Sequence, residues 1–202
     1  MNMGAVLLAA GASRRFGSEN KLLTDIGGLP LIRRVAGEID QSSVNGIVVV
    51  TGCDQSLVER ALDGLLLNFA HNPNWPAGMG SSIAVGISAL DPNAQGALVV
   101  PGDMPFLTSS LFDRVILAFR EAQLEPIVFP ASAAGEQRNP VLWPRRFFPL
   151  LTSLRGAEGG KRLLASLAGS CKALPVPNEV ALADVDTPKD LAVARAHMGP
   201  HL

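Results

Sequence analysis

The sequence has no tyrosine, only two cysteines and only three histidines among its 202 residues. Cys53 and Cys171 lie far apart and neither has a histidine beside it, which argues against a zinc site and against a disulfide scaffold. The 17 Lys and Arg nearly balance the 18 Asp and Glu, so the net charge of -1 provides no positive field to attract a nucleic acid. We therefore expect a protein of the reducing cytoplasm that does not bind nucleic acid.

The sequence also lacks long apolar runs. Stretches such as residues 5–10 and 47–50 are far shorter than the roughly 18 to 20 residues that a membrane span needs. The first residues show neither the basic segment nor the small-residue cleavage pattern of a secretory signal. We therefore expect no membrane association. Because 48% of the residues are hydrophobic and 17% are charged, we expect one globular domain or a compact pair of subdomains.

Short aliphatic runs alternate with longer amphipathic segments, which is typical of an α/β protein. Strands are predicted at residues 4–10, 46–52, 65–71, 97–101, 126–131 and 171–176, and helices at residues 30–40, 55–64, 79–90, 109–122, 160–167 and 188–197. Residues 139–143 predict a further short strand, in an insertion near the active face. Several strands are apolar throughout, which predicts a three-layer α/β/α sandwich with a mostly parallel sheet.

Ligands of such sheets bind beyond the carboxyl ends of the strands, and the first segment there is rich in small residues. Residues 8–17 read LAAGASRRFG, and Lys21 follows. Backbone amides of a small-residue turn can donate to phosphate oxygens, while Arg and Lys supply charge. The segment therefore predicts a phosphate cradle, although it matches neither a Walker A loop nor a GxGxxG loop. A surface turn with solvated basic residues is the alternative.

Two acidic segments follow later strands. Residues 101–105 read PGDMP, and Asp103 is the first candidate ligand for magnesium, with a turn or helix-capping aspartate as the alternative. Residues 184–190 read DVDTPKD, in which Thr187 is suited to cap a helix that begins at Pro188. Asp184 and Asp186 share one side of an extended chain, so a cation site and helix capping are both open for this segment.

The fourth segment, residues 72–82, reads NPNWPAGMGSS and leads into a predicted helix. Its glycines and serines are suited to hold a base or a ribose, or merely to cap that helix. Trp75, Trp143 and Phe147 are predicted to serve packing.

Together, and in their order along the chain, the four motifs resemble the small molybdopterin nucleotidyltransferases of molybdenum cofactor maturation, and most closely their cytidylyltransferases. The resemblance extends from residue 6 to about residue 191. It implies a single nucleotidyltransferase domain of Rossmann-like fold over residues 1–202, with a nucleotide-binding part at about 1–105 and an acceptor-binding part at about 106–202.

The resemblance also implies roles for individual residues. The implied nucleotide-binding residues are Leu8, Ala9, Ala10, Gly11, Ser13, Arg15, Lys21, Gly78, Gly80 and Ser82. Arg15, Lys21 and Asp103 are implied to be catalytic, and Asp103 and Asp186 to hold magnesium, with Asp184 a less certain ligand. Asn139 and Pro140 are implied to contact the acceptor, although Arg138 departs from the family pattern and Arg14 falls at a variable position.

The implied reaction is attack by the terminal phosphate oxygen of molybdopterin on the α-phosphorus of CTP, which releases pyrophosphate. A phosphate nucleophile is already ionised and needs no general base, in agreement with the absence of tyrosine and of histidine from the four motifs. Mg²⁺ is the implied cofactor. The implied partners are CTP, molybdopterin and, transiently, the molybdoenzyme that receives the product or its chaperone.

Other functions fit parts of the sequence. A GTP-using guanylyltransferase or another small-molecule nucleotidyltransferase is the main alternative, because guanylyltransferases typically have a glycine where Ala10 stands. A glycosyltransferase would place its Asp-x-Asp element after a central strand instead of near residue 184. A noncatalytic nucleotide-binding module does not require Lys21, Asp103 and Asp186 together. An NAD-binding oxidoreductase would need a different glycine spacing in the first loop.

Overall fold

The computed structural model describes residues 2–17, 19–156 and 159–198. Its strands are β1 (Met3–Ala9), β2 (Asp25–Ile26), β3 (Leu29–Pro30), β4 (Gly46–Thr51), β5 (Asn68–His71), β6 (Gly96–Pro101), β7 (Ile127–Ala131), β8 (Val141–Pro144) and β9 (Cys171–Pro175). Its α-helices are α1 (Leu31–Asp40), α2 (Gln55–Ala61), α3 (Met79–Ser88), α4 (Ser109–Glu121), α5 (Phe148–Thr152), α6 (Gly159–Ser166) and α7 (Pro188–Met198).

Seven strands form one sheet in the order β5-β4-β1-β6-β8-β7-β9, while β2 and β3 form a separate hairpin. Strands β5, β4, β1 and β6 are parallel to one another, β7 is parallel to β9, and β8 runs antiparallel to both of its neighbours. The predicted α/β fold with a mostly parallel sheet is therefore confirmed.

The central strands are apolar throughout because helices cover both of their faces. In β1, Ala5 and Leu7 pack into a core with residues of α1, α2, α4 and α7, while Val6 packs into a second core with residues of α3, α5 and α6. All three side chains are fully buried. The alternation along a single strand thus produces the three predicted layers.

Close packing brings α3 and two loops against the central strands. A Cβ atom on Gly86 of α3 would lie 2.2 Å from Cγ1 of Val6, so only glycine lets the helix approach the sheet this closely. Cβ atoms on Gly52 and Gly102 would lie 2.7 Å from the Ala10 carbonyl oxygen and 2.8 Å from the Leu8 carbonyl oxygen, respectively. The loops that follow β4 and β6 therefore pack on the end of β1, where the phosphate cradle is predicted.

Two sequence predictions need correction. The segment at residues 139–143 is not an insertion, because Val141–Pro144 forms β8 inside the main sheet, where its buried side chains fill the space between β6 and β7. The strand predicted at 65–71 begins only at Asn68, since the Leu67 amide bonds the Leu65 carbonyl in a turn that precedes the ladder with β4.

No α-helix in the described part of the chain is long and apolar enough to cross a membrane.

Candidate active site

Two adjoining cavities lie at the carboxyl ends of the central strands. The first has a volume of about 360 Å³ and is walled by the loop after β1, by Lys21 and by residues of the Trp75–Ser82 region. The second has a volume of about 690 Å³ and is walled by residues of the 137–139 segment, β8, α6 and the 179–184 segment. Six residues line both cavities: Leu8, Arg15, Met79, Pro101, Asp103 and Asp186. We call these six the shared wall.

The loop after β1 is held in place by a buried asparagine. The side-chain oxygen of Asn20 accepts hydrogen bonds from the Ser13 hydroxyl at 3.2 Å and from the Leu22 amide at 3.1 Å, while its side-chain nitrogen donates to Asp54 at 3.2 Å. Asn20 is only 7% exposed. It therefore fixes the loop from behind, and the cavity side of the loop is left to the backbone and to Arg14 and Arg15.

Lys21 joins the two acidic segments. Its Nζ donates to Oδ2 of Asp103 and to Oδ1 of Asp186, each at 2.7 Å, and its side chain is only 12% exposed. Arg15 reaches the other carboxylate oxygen of Asp186 at 2.9 Å from a largely exposed position. Burial alone would lower the pKa of Lys21, but the two carboxylates outweigh that effect and raise the pKa. The ammonium therefore stays charged at neutral pH.

The two acidic segments are also joined through the backbone. The Val185 amide donates to the Asp103 carbonyl at 2.9 Å, which places Asp103 and Asp186 side by side although they are far apart in sequence. Asp184 lines the second cavity. Partial removal from water and the nearby carboxylates of Asp103 and Asp186 raise the pKa of Asp184.

The competing roles of residues 184–190 fall on different side chains. Oδ2 of Asp190 accepts from the Thr187 amide at 2.8 Å and from the Thr187 hydroxyl at 2.7 Å, and the Asp190 amide donates back to the Thr187 hydroxyl at 3.3 Å. This reciprocal pair is a capping box for α7. Helix capping is therefore performed by Thr187 and Asp190, and the carboxylate of Asp186 is left for Lys21 and Arg15.

The segment before α3 is organised around a second buried asparagine. Asn72 is 1% exposed, and its side chain bonds the hydroxyls of Ser81 and Ser82. Gly78 has a φ of +115°, a conformation that favours glycine at the turn into the helix. Gly78, Met79 and Ser82 line the first cavity.

Most of the predicted site residues lie together. The first cavity is lined by Leu8, Ala10, Gly11, Ser13, Arg15, Lys21, Gly78, Ser82, Asp103 and Asp186, and also by Arg14 and Trp75. Asn139 lines the second cavity.

Three of the predicted residues lie elsewhere. Ala9 is 1% exposed and belongs to the core beneath the loop. Gly80 packs against the next segment, because its amide donates to the Gly156 carbonyl at 3.0 Å and neither cavity includes it in its lining. Pro140 is buried behind Asn139 and is outside the lining of both cavities. Their roles as ligand contacts stay predictions.

Two side chains on the wall of the second cavity, one charged and one aromatic, are each paired with a neighbouring side chain. Arg138, which departs from the family pattern, pairs with Glu136 at 2.7 Å and lines the cavity. Trp143 lines the same cavity but is only 2% exposed and packs edge-on against Phe147, with ring centroids 6.3 Å apart. The packing roles predicted for Trp143 and Phe147 thus agree with their burial.

Sequence reasoning missed Asn20, Asn72 and Lys161. The first two are polar residues in loops, and their burial depends on contacts with distant segments that no local pattern shows. Lys161 follows two glycines near the start of α6 and lines the second cavity. A lysine directly after two glycines at the start of a predicted helix is the sequence signal that could have identified it.

The site brings together two carboxylates that are candidate metal ligands. Among residues 2–17, 19–156 and 159–198, no three His, Cys, Asp or Glu side chains are grouped as a metal site. Asp103 and Asp186, however, already direct oxygens at one cation, the ammonium of Lys21. Carboxylate oxygens are ligands that Mg²⁺ prefers, and it commonly takes one or two of them together with water and substrate phosphates. The pair therefore fits Mg²⁺ if a nucleotide supplies further ligands.

Comparison with known proteins identifies the family. A model of the MobA-like NTP transferase domain matches residues 5–172. The chain belongs to this family. The predicted family resemblance is therefore confirmed at this level, which does not distinguish cytidylyl from guanylyl transfer.

Two individual relatives match part of the chain. A probable molybdenum cofactor guanylyltransferase of Natronomonas pharaonis is 35% identical over 111 residues, covering 54% of this chain and 52% of that protein. The bifunctional protein GlmU of Francisella tularensis subsp. novicida is 28% identical over 117 residues, covering 57% of this chain and 25% of GlmU. The matched stretches thus span about half of the first relative and a quarter of the second.

The fold has close counterparts among solved structures. The crystal structure of the Mycobacterium tuberculosis Rv0371c homologue from Mycobacterium sp. strain JC1 superposes with a TM-score of 0.84 at 25% identity, covering 97% of this chain and 96% of that chain.

Proposed function

We propose that this chain transfers CMP from CTP to the terminal phosphate of molybdopterin and releases pyrophosphate. The observation that carries the proposal is the shared wall, where Arg15, Asp103 and Asp186 face both cavities and Lys21 bridges the two carboxylates. A transferase that joins two substrates needs a pocket for each and charged groups where they meet. The shared wall supplies the charged groups at that position.

The first cavity is suited to the nucleotide. Within the described residues, no hydrogen bond uses the amide hydrogens of Gly11 or Ala12, and Arg14, Arg15 and Lys21 line the same space. Such amides and cations complement a triphosphate. The nucleoside then extends towards Gly78 and Ser82 on the remaining wall.

The second cavity is suited to the acceptor. Its volume of about 690 Å³ exceeds that of the first, and Arg138, Asn139 and Lys161 contribute polar groups to its wall. Molybdopterin combines a flat heterocycle with a terminal phosphate, so it needs space and positive charge together. We assign Lys161 and Arg138 to charge complementarity with this anionic acceptor.

The chemistry requires alignment and charge neutralisation. The acceptor phosphate is ionised near neutral pH and attacks without a general base. In agreement, no histidine is among the described residues that line either cavity. Arg15 and Lys21 orient the triphosphate and offset the charge that develops on the transferring phosphoryl group. Asp103 and Asp186 would hold Mg²⁺, with Asp184 nearby. When bound, that ion would act as a Lewis acid and a template for the phosphates.

Nucleotide choice depends on Ala10. Its side chain is 5% exposed, lines the first cavity and packs beside Gly52 and Trp75. Because this methyl group reduces the space that the first cavity offers to a base, we propose that a pyrimidine is preferred over a purine by roughly tenfold to a hundredfold. GTP is the second candidate, since the relative from N. pharaonis has a guanylyltransferase name.

The test is a competition assay with the full chain, magnesium, molybdopterin, and CTP and GTP at equal concentrations. Mass spectrometry of the dinucleotide product and a pyrophosphate assay give the two measurements. We expect a cytosine dinucleotide and one pyrophosphate for each product. A guanine product would overturn the preference for CTP but keep nucleotidyl transfer, whereas the absence of both products would overturn the proposed function.

A further inference from the structure

We propose that Asn72 is a positioning residue, which acts by fixing the hydroxyl of Ser82 as a hydrogen-bond donor to the base of the bound nucleotide. The proposal deepens the proposed function, because it concerns the nucleoside end of the same first cavity. It rests on the hydrogen bonds of one buried side chain.

The orientation of the Asn72 amide is determined by its neighbours. The Asn74 backbone amide donates to Oδ1 of Asn72 at 3.0 Å, and a backbone N–H requires an oxygen there. The nitrogen of the same side chain therefore faces the two serines, with Nδ2 at 2.9 Å from Oγ of Ser81 and 3.0 Å from Oγ of Ser82. Both hydrogens of the amide are used, and both hydroxyls act as acceptors.

The anchor of this amide is rigid. The Asn72 backbone amide donates to the carbonyl of Thr51, the last residue of β4, at 2.8 Å, and the side chain is 1% exposed. The network is thus tied to a central strand. Displacing the amide would leave several buried polar groups without partners, which is costly.

The two serines differ in where their hydrogens go. The Ser81 hydroxyl donates within the protein, with the carbonyl oxygens of Gly78 at 2.8 Å and Asn74 at 3.1 Å within reach. Within the described part of the chain, the Ser82 hydroxyl has the Asn72 amide as its hydrogen-bond partner and no acceptor of its own. Because an NH₂ group cannot accept, the hydrogen of Ser82 is available to the ligand.

Ser82 is where a ligand can use that hydrogen. It is 5% exposed and lines the first cavity, to which the loop that carries Gly11 and Arg15 contributes other lining residues. The phosphates belong to that loop, so Ser82 meets the nucleoside. A donor of fixed polarity selects a carbonyl oxygen or an unprotonated ring nitrogen on the base.

Three variants separate this role from a general loosening of the loop. Ser82→Ala removes the donor. Asn72→Asp replaces the NH₂ group by an oxygen at nearly constant shape, so the Ser82 hydroxyl turns its hydrogen towards the new acceptor and away from the ligand. Ser81→Ala is the matched control, because it removes a hydroxyl from the same network without removing a donor from the cavity.

Binding is measured by calorimetric titration of the full chain, in the presence of magnesium, with CTP, GTP and inorganic triphosphate. We expect Ser82→Ala and Asn72→Asp each to weaken nucleotide binding roughly tenfold and to change the affinity for triphosphate less than twofold. The double variant should bind the nucleotide no more weakly than Ser82→Ala alone, since Asn72 acts through Ser82. Ser81→Ala should keep the parental affinity within twofold or threefold.

Other results would overturn the proposal. If Ser82→Ala binds the nucleotide as tightly as the parent chain, or if Ser81→Ala weakens binding equally, the hydroxyl of Ser82 is not the donor. The Ser82→Ala and Ser81→Ala pair decides this point even if Asn72→Asp does not fold. A parent chain that binds neither CTP nor GTP would instead overturn the proposed function together with this assignment.

Discussion

The two cavities are built in different ways. The first is lined by small residues such as Gly11 and Gly78 together with the basic side chains of its first loop and Lys21, and its loops are held from behind by the buried side chains of Asn20 and Asn72. The second is larger and is lined by long charged side chains such as Arg138, Lys161 and Glu179. The loops of the first are thus fixed by buried hydrogen-bonding side chains, whereas the charged groups of the second come from three separate segments. Changes to the shared wall should therefore impair the reaction most, and changes to either cavity alone should affect one substrate.

The largest effect is expected from the shared wall. Asp103→Asn should lower turnover roughly a hundredfold or more, because it removes a charged ligand where both substrates meet. Asp186→Asn should cause a smaller loss, since Arg15 can still order the neighbouring phosphate. Steady-state kinetics with Asp63→Asn as a surface control measures both. Near-normal turnover of Asp103→Asn at saturating magnesium would contradict the assignment.

Removing Lys21 tests the phosphate end of the first cavity. Lys21→Ala should weaken CTP binding roughly tenfold and leave cytidine binding nearly unchanged, because only the triphosphate presents charge to the ammonium. Calorimetric titration of both ligands provides the measurement, and Lys189→Ala removes the same charge outside both cavities. Equal losses for the two ligands would place Lys21 outside the phosphate site.

Lys161 tests whether the second cavity serves the other substrate. Lys161→Ala should raise the KM for molybdopterin roughly tenfold, the size of a lost charge-assisted hydrogen bond, with the KM for CTP unchanged. Lys172→Ala is the control, since Lys172 donates to the Ala118 carbonyl away from both cavities. A selective increase in the KM for CTP would reverse the assignment of the cavities.

The capping box of α7 should affect stability and not catalysis. Thr187→Ala should lower the free energy of unfolding by about 1 kcal/mol and change turnover less than twofold. Denaturant titration and steady-state kinetics check the two parts. A large loss of turnover in a stably folded variant would show that the 184–190 segment does not divide capping and cation binding as we propose.

The capping box of α7 should also make the stability of the chain depend on pH. Hydrogen bonds from the side chain and backbone of Thr187 lower the pKa of Asp190 below its ordinary value. The resulting stabilisation is present above the pKa of the unfolded chain and is lost as the pH falls through the lowered pKa of the folded chain. Asp190→Asn should therefore be less stable than the parent near neutral pH, and the difference should disappear in acid. A difference that persists in acid would contradict this cause.

The smallest effect is expected from the cysteines. Neither cavity includes Cys53 or Cys171 in its lining, and burial raises the pKa of both thiols, which keeps them protonated at neutral pH. The double Cys→Ser variant should keep turnover within about twofold. A folded double variant without activity would reveal a thiol role in the reaction.

The difference between the cavities also explains what sequence could predict. The apolar strands, the glycines at strand ends and the Asp103 segment follow from local patterns, so the fold and most of the first cavity were predictable. Asn20 and Asn72 were missed because their burial arises from hydrogen bonds to distant or later residues. The segment of β8 was predicted to be a short strand in an insertion, because its antiparallel pairing with β6 depends on tertiary contacts that the sequence does not show. The capping residues within 184–190 were established only by the contacts between Thr187 and Asp190, and cation binding by Asp186 stays a proposal.

A crystal structure of the chain with CTP and magnesium tests the central claim most directly. The nucleotide should occupy the first cavity, with its base beside Gly78 and Ser82, its triphosphate at the loop of residues 11–15 and its α-phosphate at the shared wall. The metal should contact Asp103 and Asp186, and the second cavity should stay free for the acceptor. A nucleotide bound in the second cavity, or with its α-phosphate away from Arg15 and Asp103, would contradict this arrangement.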